Sequence, residues 1–339
     1  MKTQEFNYHL PTELIAQKPF RPRDNSRLLI LEKKTGKIRH DHFFNLGKYL
    51  KKGDVLVLNN SRVFPARLIG NKLTGGKAEI LLVKKKKMGQ WEVLTNIKKA
   101  KKNLEIGFGK KRKLKANLIK KLNNGNWLIQ FNPRGKNFRK AIQRFGQAPT
   151  PPYIKRISNL EEYQTIYAKK NGSIAAPTAG FHFTKKLIKK LKNQGIKFKF
   201  ITLHVGLGTF LPIKTERIEK HQMLAEKAII IGRTATELNK IKNKGGKIIA
   251  VGTTSVRTLE TVASSGKIKK FVGQTNIYIK PGYKFEFIDG LITNFHLPKS
   301  TNLVLVSTLA GRKKIKKAYK EAIKRKYRFY SFGDAMLII

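Results

Sequence analysis

Gly245-Gly246-Lys247-Ile248-Ile249-Ala250-Val251-Gly252-Thr253-Thr254-Ser255 holds, in one short run, a stop, a buried strand and the opening of a helix. The apolar run is too short for a helix and rich in β-branched residues, so it reads as a strand buried on both faces. Such strands belong to parallel sheets covered by helices. Working outward, a helix near 234–243 precedes the glycine pair. Before it, Phe198-Lys199-Phe200-Ile201-Thr202-Leu203 forms another strand, fed by a helix that Thr184 caps, whose Leu187, Ile188 and Leu191 share a face and whose stop is Gly195. Downstream, Ser300 to about Lys326 reads as one or two helices with Gly311 a possible break. Strand and helix alternate from Tyr153 onward, which predicts an α/β layer with a largely parallel or mixed sheet. Near the start, Arg27–Leu31 and Asp54–Leu58 read as further buried strands, the second closed by Asn59-Asn60-Ser61-Arg62.

Between Leu68 and Thr150 the texture differs. Ala78–Val83, Trp91–Leu94 and Asn126–Phe131 are short runs separated by Gly, Asn and Lys turns, with Lys84–Lys87 and Lys110–Lys113 expected as exposed turns. Short strands at that spacing predict a small antiparallel β-barrel. The proline cluster Pro149-Thr150-Pro151-Pro152 marks the exit. The expected organisation is therefore an α/β main domain, residues 1–67 with 151–339, interrupted by a β-barrel domain over 68–150.

The chain of 339 residues carries 73 Lys+Arg against 20 Asp+Glu, a formal net charge of +53. Such a surface attracts phosphate polyanions. Lys far outnumbers Arg, and AT-rich codons would also produce that excess, so charge supports an RNA partner without identifying one. With no Cys, a disulfide framework, a thiolate metal site and a cysteine nucleophile are all excluded. The first twenty residues lack the apolar stretch of a signal peptide, and no segment approaches the roughly 20 apolar residues that span a bilayer. A cytoplasmic chain with no membrane partner is expected. His40-Asp41-His42 reads as a solvated strand, and no metal is assigned. Because acids are scarce, Glu226, Glu260, Asp289 and Asp334, set in weakly charged surroundings, draw attention.

Three segments rich in Gly, Pro and Thr each hold one histidine: Ala175–Phe183 with His182, Leu203–Phe210 with His204, and Thr293–Thr301 with His296. Each is placed at the end of a strand, where ligands bind in α/β sheets, so a shared cleft is expected. Gly252–Ser255, at a strand-to-helix turn, suits an anion, a carboxylate or a ribose hydroxyl. It lacks the Gly-Lys-Ser/Thr of a nucleotide-binding P-loop, and Gly206-Leu207-Gly208 lacks the third glycine of a dinucleotide fingerprint.

Taken in order, these motifs resemble the S-adenosylmethionine:tRNA ribosyltransferase-isomerase family of queuosine biosynthesis. The resemblance rests on Ala176–Gly180 with His182-Phe183-Thr184, Leu203–Phe210, Val251–Glu260, Leu291–Thr301 and Ser331–Leu337. It departs at Asn60, where the family commonly carries an acid, and at Leu224, where a histidine is expected. The resemblance implies an α/β domain interrupted by a small β-barrel. It further implies that S-adenosylmethionine is consumed as a ribosyl donor, a co-substrate and not a cofactor. The acceptor would be 7-aminomethyl-7-deazaguanine at the wobble position of tRNA, and the products epoxyqueuosine-tRNA, adenine and methionine. That chemistry needs a base for a carbon-bound proton, an acid for the departing adenine and an uncharged acceptor amine, roles that histidine can fill.

On this reading His182, His204 and His296 are the acid–base candidates. Glu226 and Asp289, with Glu260 and Asp334, are the carboxylates that would face the sulfonium or the amine. Thr178, Gly180, Gly206, Gly208, Thr209, Thr253, Thr254 and Ser255 would contact substrate, and Arg62, Arg257 and Lys299 would meet phosphate or carboxylate. A monomer is the expected state. Two other classes compete. A plain RNA-binding module would not need three histidine-bearing loops. An ordinary methyltransferase would show a Gly-rich loop after the first strand and an acid ending the second.

Overall fold

The computed structural model describes residues 1–109, 112–156, 159–206, 208 and 212–339. Thr209 and part of the Lys110–Lys113 run lie outside the described residues. In chain order, β1 (Arg27–Leu31) and β2 (Ile38–His42) form a hairpin, followed by β3 (Val55–Asn59) and the short β4 (Ser61–Val63). Next come β5 (Arg67–Lys72), β6 (Lys77–Lys87), β7 (Gln90–Thr95), β8 (Glu105–Phe108), β9 (Leu114–Lys121), β10 (Trp127–Asn132), α1 (Gly135–Phe145) and β11 (Gly146–Gln147). The chain then runs through β12 (Lys170–Ser173), α2 (Lys185–Asn193), β13 (Lys197–Leu203), β14 (Glu226–Ile230), α3 (Gly232–Asn243), β15 (Ile248–Val251) and α4 (Thr253–Val262). It ends with β16 (Phe271–Thr275), β17 (Gly290–Asn294), α5 (Thr301–Ala310), α6 (Arg312–Lys324) and β18 (Ala335–Ile338).

The main sheet has nine strands in the order β16-β14-β13-β3-β15-β17-β18-β1-β2. Its centre, β13-β3-β15-β17, is parallel, while β14 and β18 run antiparallel to their neighbours β13 and β17. The period-2 alternation of a strand sorts side chains onto two faces. Val55 and Val57 of β3, with Ile248 and Ala250 of β15, join a core covered by α3, α4, α5 and α6. Leu56 and Leu58, with Ile249 and Val251, join a second core covered by α2 and by the 3-10 turns around Phe43 and Phe183. Both faces are dry, as the uninterrupted apolar runs of β3 and β15 predict.

Strands β5, β6, β7, β10, β9 and β8 form a second, antiparallel sheet that β5–β8 pairing closes into a six-stranded barrel. Closure depends on Gly70, where a Cβ would sit 2.4 Å from the Gly107 carbonyl oxygen. Leu68, Ile80, Val93, Ile129 and Phe131 fill the barrel, and α1 packs Phe138 and Ile142 against it. That helix is absent from the sequence reading, although Phe138 and Ile142, four apart, share the face it buries. The Asp54–Leu58 strand is shifted by one, because Asp54 turns its carboxylate to the backbone N–H groups of Lys51 and Lys247. Thr184 caps α2 as expected, accepting from Leu187 N at 3.0 Å, and Gly311 separates α5 from α6. No helix among the described residues is long and apolar enough to cross a membrane.

Leu58 is fully buried between β13 and β15. Leu58→Ala is expected to lower unfolding free energy by about 2–5 kcal/mol in urea titration. A loss under about 1 kcal/mol would contradict a sheet packed on both faces.

Candidate functional site

The four central parallel strands end together at Asn59, Leu203, Val251 and Asn294. β18 and β1 begin at that same edge, Ala335 lying opposite Asn294 and Leu28 opposite Ala335. β14 also begins there, with Ala228 opposite Leu203. The edge therefore gathers Asn60, His204, Glu226, Gly252–Thr254 and Asn294–His296, the position at which α/β sheets bind ligands.

Two cavities open along it. A narrow pocket of about 60 Å³ is lined by Pro177, Thr178, Val205, Gly252, Thr253, Thr254, Asn294, His296, Ser300, Tyr330 and their neighbours. A cleft of about 1080 Å³ runs between the barrel and the main sheet, lined by Arg62, Lys84, Lys85, Trp91, Phe138, Arg139, His204 and Lys227. Consecutive residues face different cavities, since Val205 lines the pocket and His204 the cleft.

The three histidines thus do not share one cleft. His182 ends a 3-10 turn, Thr178–His182, and not a strand, and it is buried behind the pocket. Its Nδ1 lies 2.7 Å from Ser26 Oγ and its Nε2 3.2 Å from Asn294 Nδ2. The amide of Asn294 is oriented by its other partners, for Oδ1 accepts from Thr178 Oγ1 at 3.0 Å and Nδ2 donates to the Tyr330 carbonyl at 3.2 Å. His182 Nε2 must therefore accept, which places its proton on Nδ1, donating to Ser26. Burial, with Arg23 and Arg328 nearby, holds its pKa down to about 3. So placed, His182 orients Asn294 and has no nitrogen left for proton transfer.

His296 follows β17 with Nε2 2.7 Å from Thr293 Oγ1. Its backbone N–H donates to Tyr319 Oη at 2.9 Å, and its carbonyl accepts from Tyr8 Oη. Desolvation holds it down to about 3, so it is a neutral imidazole at the pocket wall. His204 is half-buried with no partner at Nδ1, and desolvation followed by Lys227 lowers its pKa. That nitrogen is enclosed, packed against Gly172, so of the three rings His204 is the one with a buried nitrogen left unpaired.

Most of the singled-out acids prove to be braces. Asp289 lies at the opposite end of the sheet, where Oδ2 accepts from Ile248 N at 2.7 Å, so it cannot reach a ligand at the strand ends. Glu260 is buried in the last turn of α4 and accepts from Tyr283 Oη and from the backbone N–H groups of Glu286, Phe287 and Ile288. Asp334 is fully buried, accepting from the N–H groups of Arg27 and Arg328 and pairing with the Arg27 guanidinium at 3.2 Å. Burial raises its pKa against those bonds.

Glu226 does reach the edge. Its Oε1 accepts from Gly206 N at 2.7 Å, while Arg257 is buried with it as an ion pair. Arg257 is consequently spent on Glu226 and the Thr275 carbonyl, not on a phosphate. Gly180 is a packing glycine whose Cβ would lie 1.9 Å from Tyr167 Oη. Ser255 is buried in the first turn of α4, its hydroxyl donating to the Val251 carbonyl at the end of β15. Lys299 contributes backbone bonds to Phe6 and Ile213. Gly208 faces Leu224, which is 58% exposed. Asn60 accepts from Thr202 Oγ1 at 2.7 Å. Thr178, Thr253 and Thr254 line the pocket and Arg62 lines the cleft. Asn294, Ser26 and Lys227 were not singled out. Asn294 carried a signal, being an amide next to the buried run of β17.

The family model described as queuosine biosynthesis protein matches residues 3–338. The chain belongs to this family, whose curated members are transferases acting in tRNA modification. The S-adenosylmethionine:tRNA ribosyltransferase-isomerases of Thermoanaerobacter sp. (strain X514) and Carboxydothermus hydrogenoformans are 52% and 51% identical to it, each over the full length of both chains. The crystal structure of S-adenosylmethionine tRNA ribosyltransferase from Thermotoga maritima covers 99% of the chain at 37% identity with a TM-score of 0.57.

Two measurements check these assignments. Glu260→Gln sets an amide N–H₂ against backbone donors and is expected to cost about 1–3 kcal/mol of stability, with kcat/KM of the folded variant unchanged. A selective loss of kcat/KM would return Glu260 to the site. His182 and His296 are held neutral in the fold, while the unfolded chain protonates them below about pH 6.5. The unfolded state then binds more protons, so stability is lost as pH falls from about 6.5 toward 3. In urea titrations the drop between pH 7 and pH 5 should be smaller for His182→Gln than for the parent chain.

Proposed function

We propose that this chain transfers and isomerises the ribosyl moiety of S-adenosylmethionine onto 7-aminomethyl-7-deazaguanine at the wobble position of tRNA. The products are epoxyqueuosine-tRNA, adenine and methionine. The observation that carries this reading is the full-length identity of about half with S-adenosylmethionine:tRNA ribosyltransferase-isomerases, with His204, Thr253, Thr254 and Asn294 converging on one sheet edge. S-adenosylmethionine is a consumed co-substrate, and no true cofactor is required. The enzyme works as a cytoplasmic monomer, with residues 1–67 and 151–339 as the catalytic α/β domain and 68–150 as the inserted barrel domain.

The two cavities divide the work. The cleft combines Arg62, Lys84, Lys85, Arg139 and Lys227 with the half-buried Trp91. Cations that follow a phosphate backbone, beside an aromatic face that can stack an unpaired base, suit an anticodon loop. The pocket takes part of the donor. Since drug-sized ligands occupy roughly 300–1000 Å³, a pocket of about 60 Å³ holds only one end of the molecule. His204 lines the cleft next to the pocket residue Val205, with Nδ1 buried and unpaired and its pKa lowered, and is the base that takes a proton, through the other ring nitrogen, from the acceptor amine or from the donor ribose. A neutral imidazole is the competent form.

The test incubates the protein with S-adenosylmethionine and tRNA bearing the aminomethyl-deazaguanine, followed by mass spectrometry of nucleosides and small molecules. Adenine and epoxyqueuosine are expected together, and only with both substrates present. A methylated nucleoside with S-adenosylhomocysteine would indicate a methyltransferase. His204→Gln should lower kcat/KM by roughly 10²–10⁴-fold, while His182→Gln lowers it less.

A further inference from the structure

Three features of the narrow pocket point to one kind of ligand. First, α4 opens on it with ten helical residues and no side-chain cap at Gly252, whose φ of +86° turns the chain directly from β15 into the helix. An uncapped first turn presents N–H donors and a partial positive charge. Second, Thr254 in that turn is 6% exposed and lines the pocket, yet its Oγ1 has no hydrogen-bond partner. A buried hydroxyl without a partner is costly unless a ligand completes it. Third, Asn294 Oδ1 is used once, by Thr178, and the amide is fixed so that this oxygen cannot exchange places with the nitrogen. A carbonyl oxygen has two lone pairs, so one remains for a donor. No Asp or Glu lines the pocket among the described residues, so the negative charge there must come from the ligand.

An anion acceptor and a cation acceptor in a space too small for a nucleoside fit a zwitterionic α-amino carboxylate. We infer that this pocket binds the amino-acid end of the sulfonium donor, with the carboxylate on the first turn of α4 and Thr254 Oγ1, and the ammonium on Asn294 Oδ1. The inference rests on the donor proposed above and adds which end of it enters. The adenosine end then extends toward Val205 and the cleft wall, where His204 stands.

The test is steady-state kinetics of the complete reaction with tRNA. Thr254→Val keeps the shape and removes the hydroxyl. It is expected to raise KM for S-adenosylmethionine about tenfold, the loss of one hydrogen bond to a charged group, with KM for tRNA unchanged and thermal stability equal or higher. Thr254→Ser returns the hydroxyl and recovers most of that loss. L-methionine should inhibit the parent enzyme at least tenfold better than 4-(methylthio)butanoate, which lacks the ammonium, or 3-(methylthio)propylamine, which lacks the carboxylate. Thr254→Val should weaken inhibition by L-methionine and leave inhibition by 5′-methylthioadenosine alone. A KM rise for tRNA instead would assign the pocket to a nucleic-acid phosphate, and weakened inhibition by 5′-methylthioadenosine would assign it to the nucleoside end. Equal inhibition by L-methionine and its two analogues would also overturn the inference. Each of these leaves the ribosyl-transfer reading standing. Absence of adenine release by the parent chain would overturn that reading and this inference together.

Discussion

Burial of β3 and β15 on both faces constrains everything else in the molecule. Val55, Leu56, Val57 and Leu58, like Ile248 to Val251, have no solvent-facing side, so no polar group can be carried along these strands without an uncompensated desolvation cost. Polar chemistry is pushed to the strand ends. Parallel strands then place one kind of end together, and the following helices present their N-termini at the same edge. Thr253 and Thr254, Asn294 and His296, and His204 arrive there from different parts of the chain because the sheet leaves them nowhere else to converge.

The same constraint explains where the rare acids went. With 73 basic side chains against 20 acidic ones, an acid would be expected to answer a cation, but Asp54, Glu260, Asp289 and Asp334 mainly accept backbone N–H groups where turns meet the sheet or a helix. A lysine cannot accept a hydrogen bond, so these positions resist the prevailing basic composition for reasons of folding. Only Glu226 combines a structural tie with the functional edge. There it holds Gly206, the residue after Val205, and is itself neutralised by Arg257. Scarcity marks an acid as needed without saying for what.

Alternation of strand and helix, the Thr184 cap and the Pro149–Pro152 exit were readable because each depends on local chemistry. The six-stranded closure was readable as texture only, since β5–β8 pairing depends on the close approach of the Gly107 carbonyl permitted at Gly70, which no local pattern announces. Helix α1 was obscured by the surrounding strands despite its Phe138 and Ile142 spacing. In the site, residue types were legible and directions were not. His182 and His296 look alike in sequence, each beside a Phe, but the fold turns His182 inward to Ser26 and Asn294 and leaves His296 at a pocket. That difference is set by partners more than a hundred residues away along the chain.

The alternation at the end of β13 has a consequence for mechanism. Because consecutive side chains point to opposite sides, His204 and Val205 face two cavities, one large, basic and aromatic, the other small and lined by Thr, Asn and helix N–H groups. A reaction joining a polyanionic acceptor to a small zwitterionic sulfonium donor needs two such environments, since the cations that attract the first repel the second. On the proposed assignment, separating them by a single residue keeps the lysines of the cleft away from the sulfonium. The His204 imidazole is held neutral by the same desolvation and nearby Lys227 that shape the cleft. In the proposed reaction the positive charge that attracts RNA therefore also favours the uncharged state that His204 needs as a base.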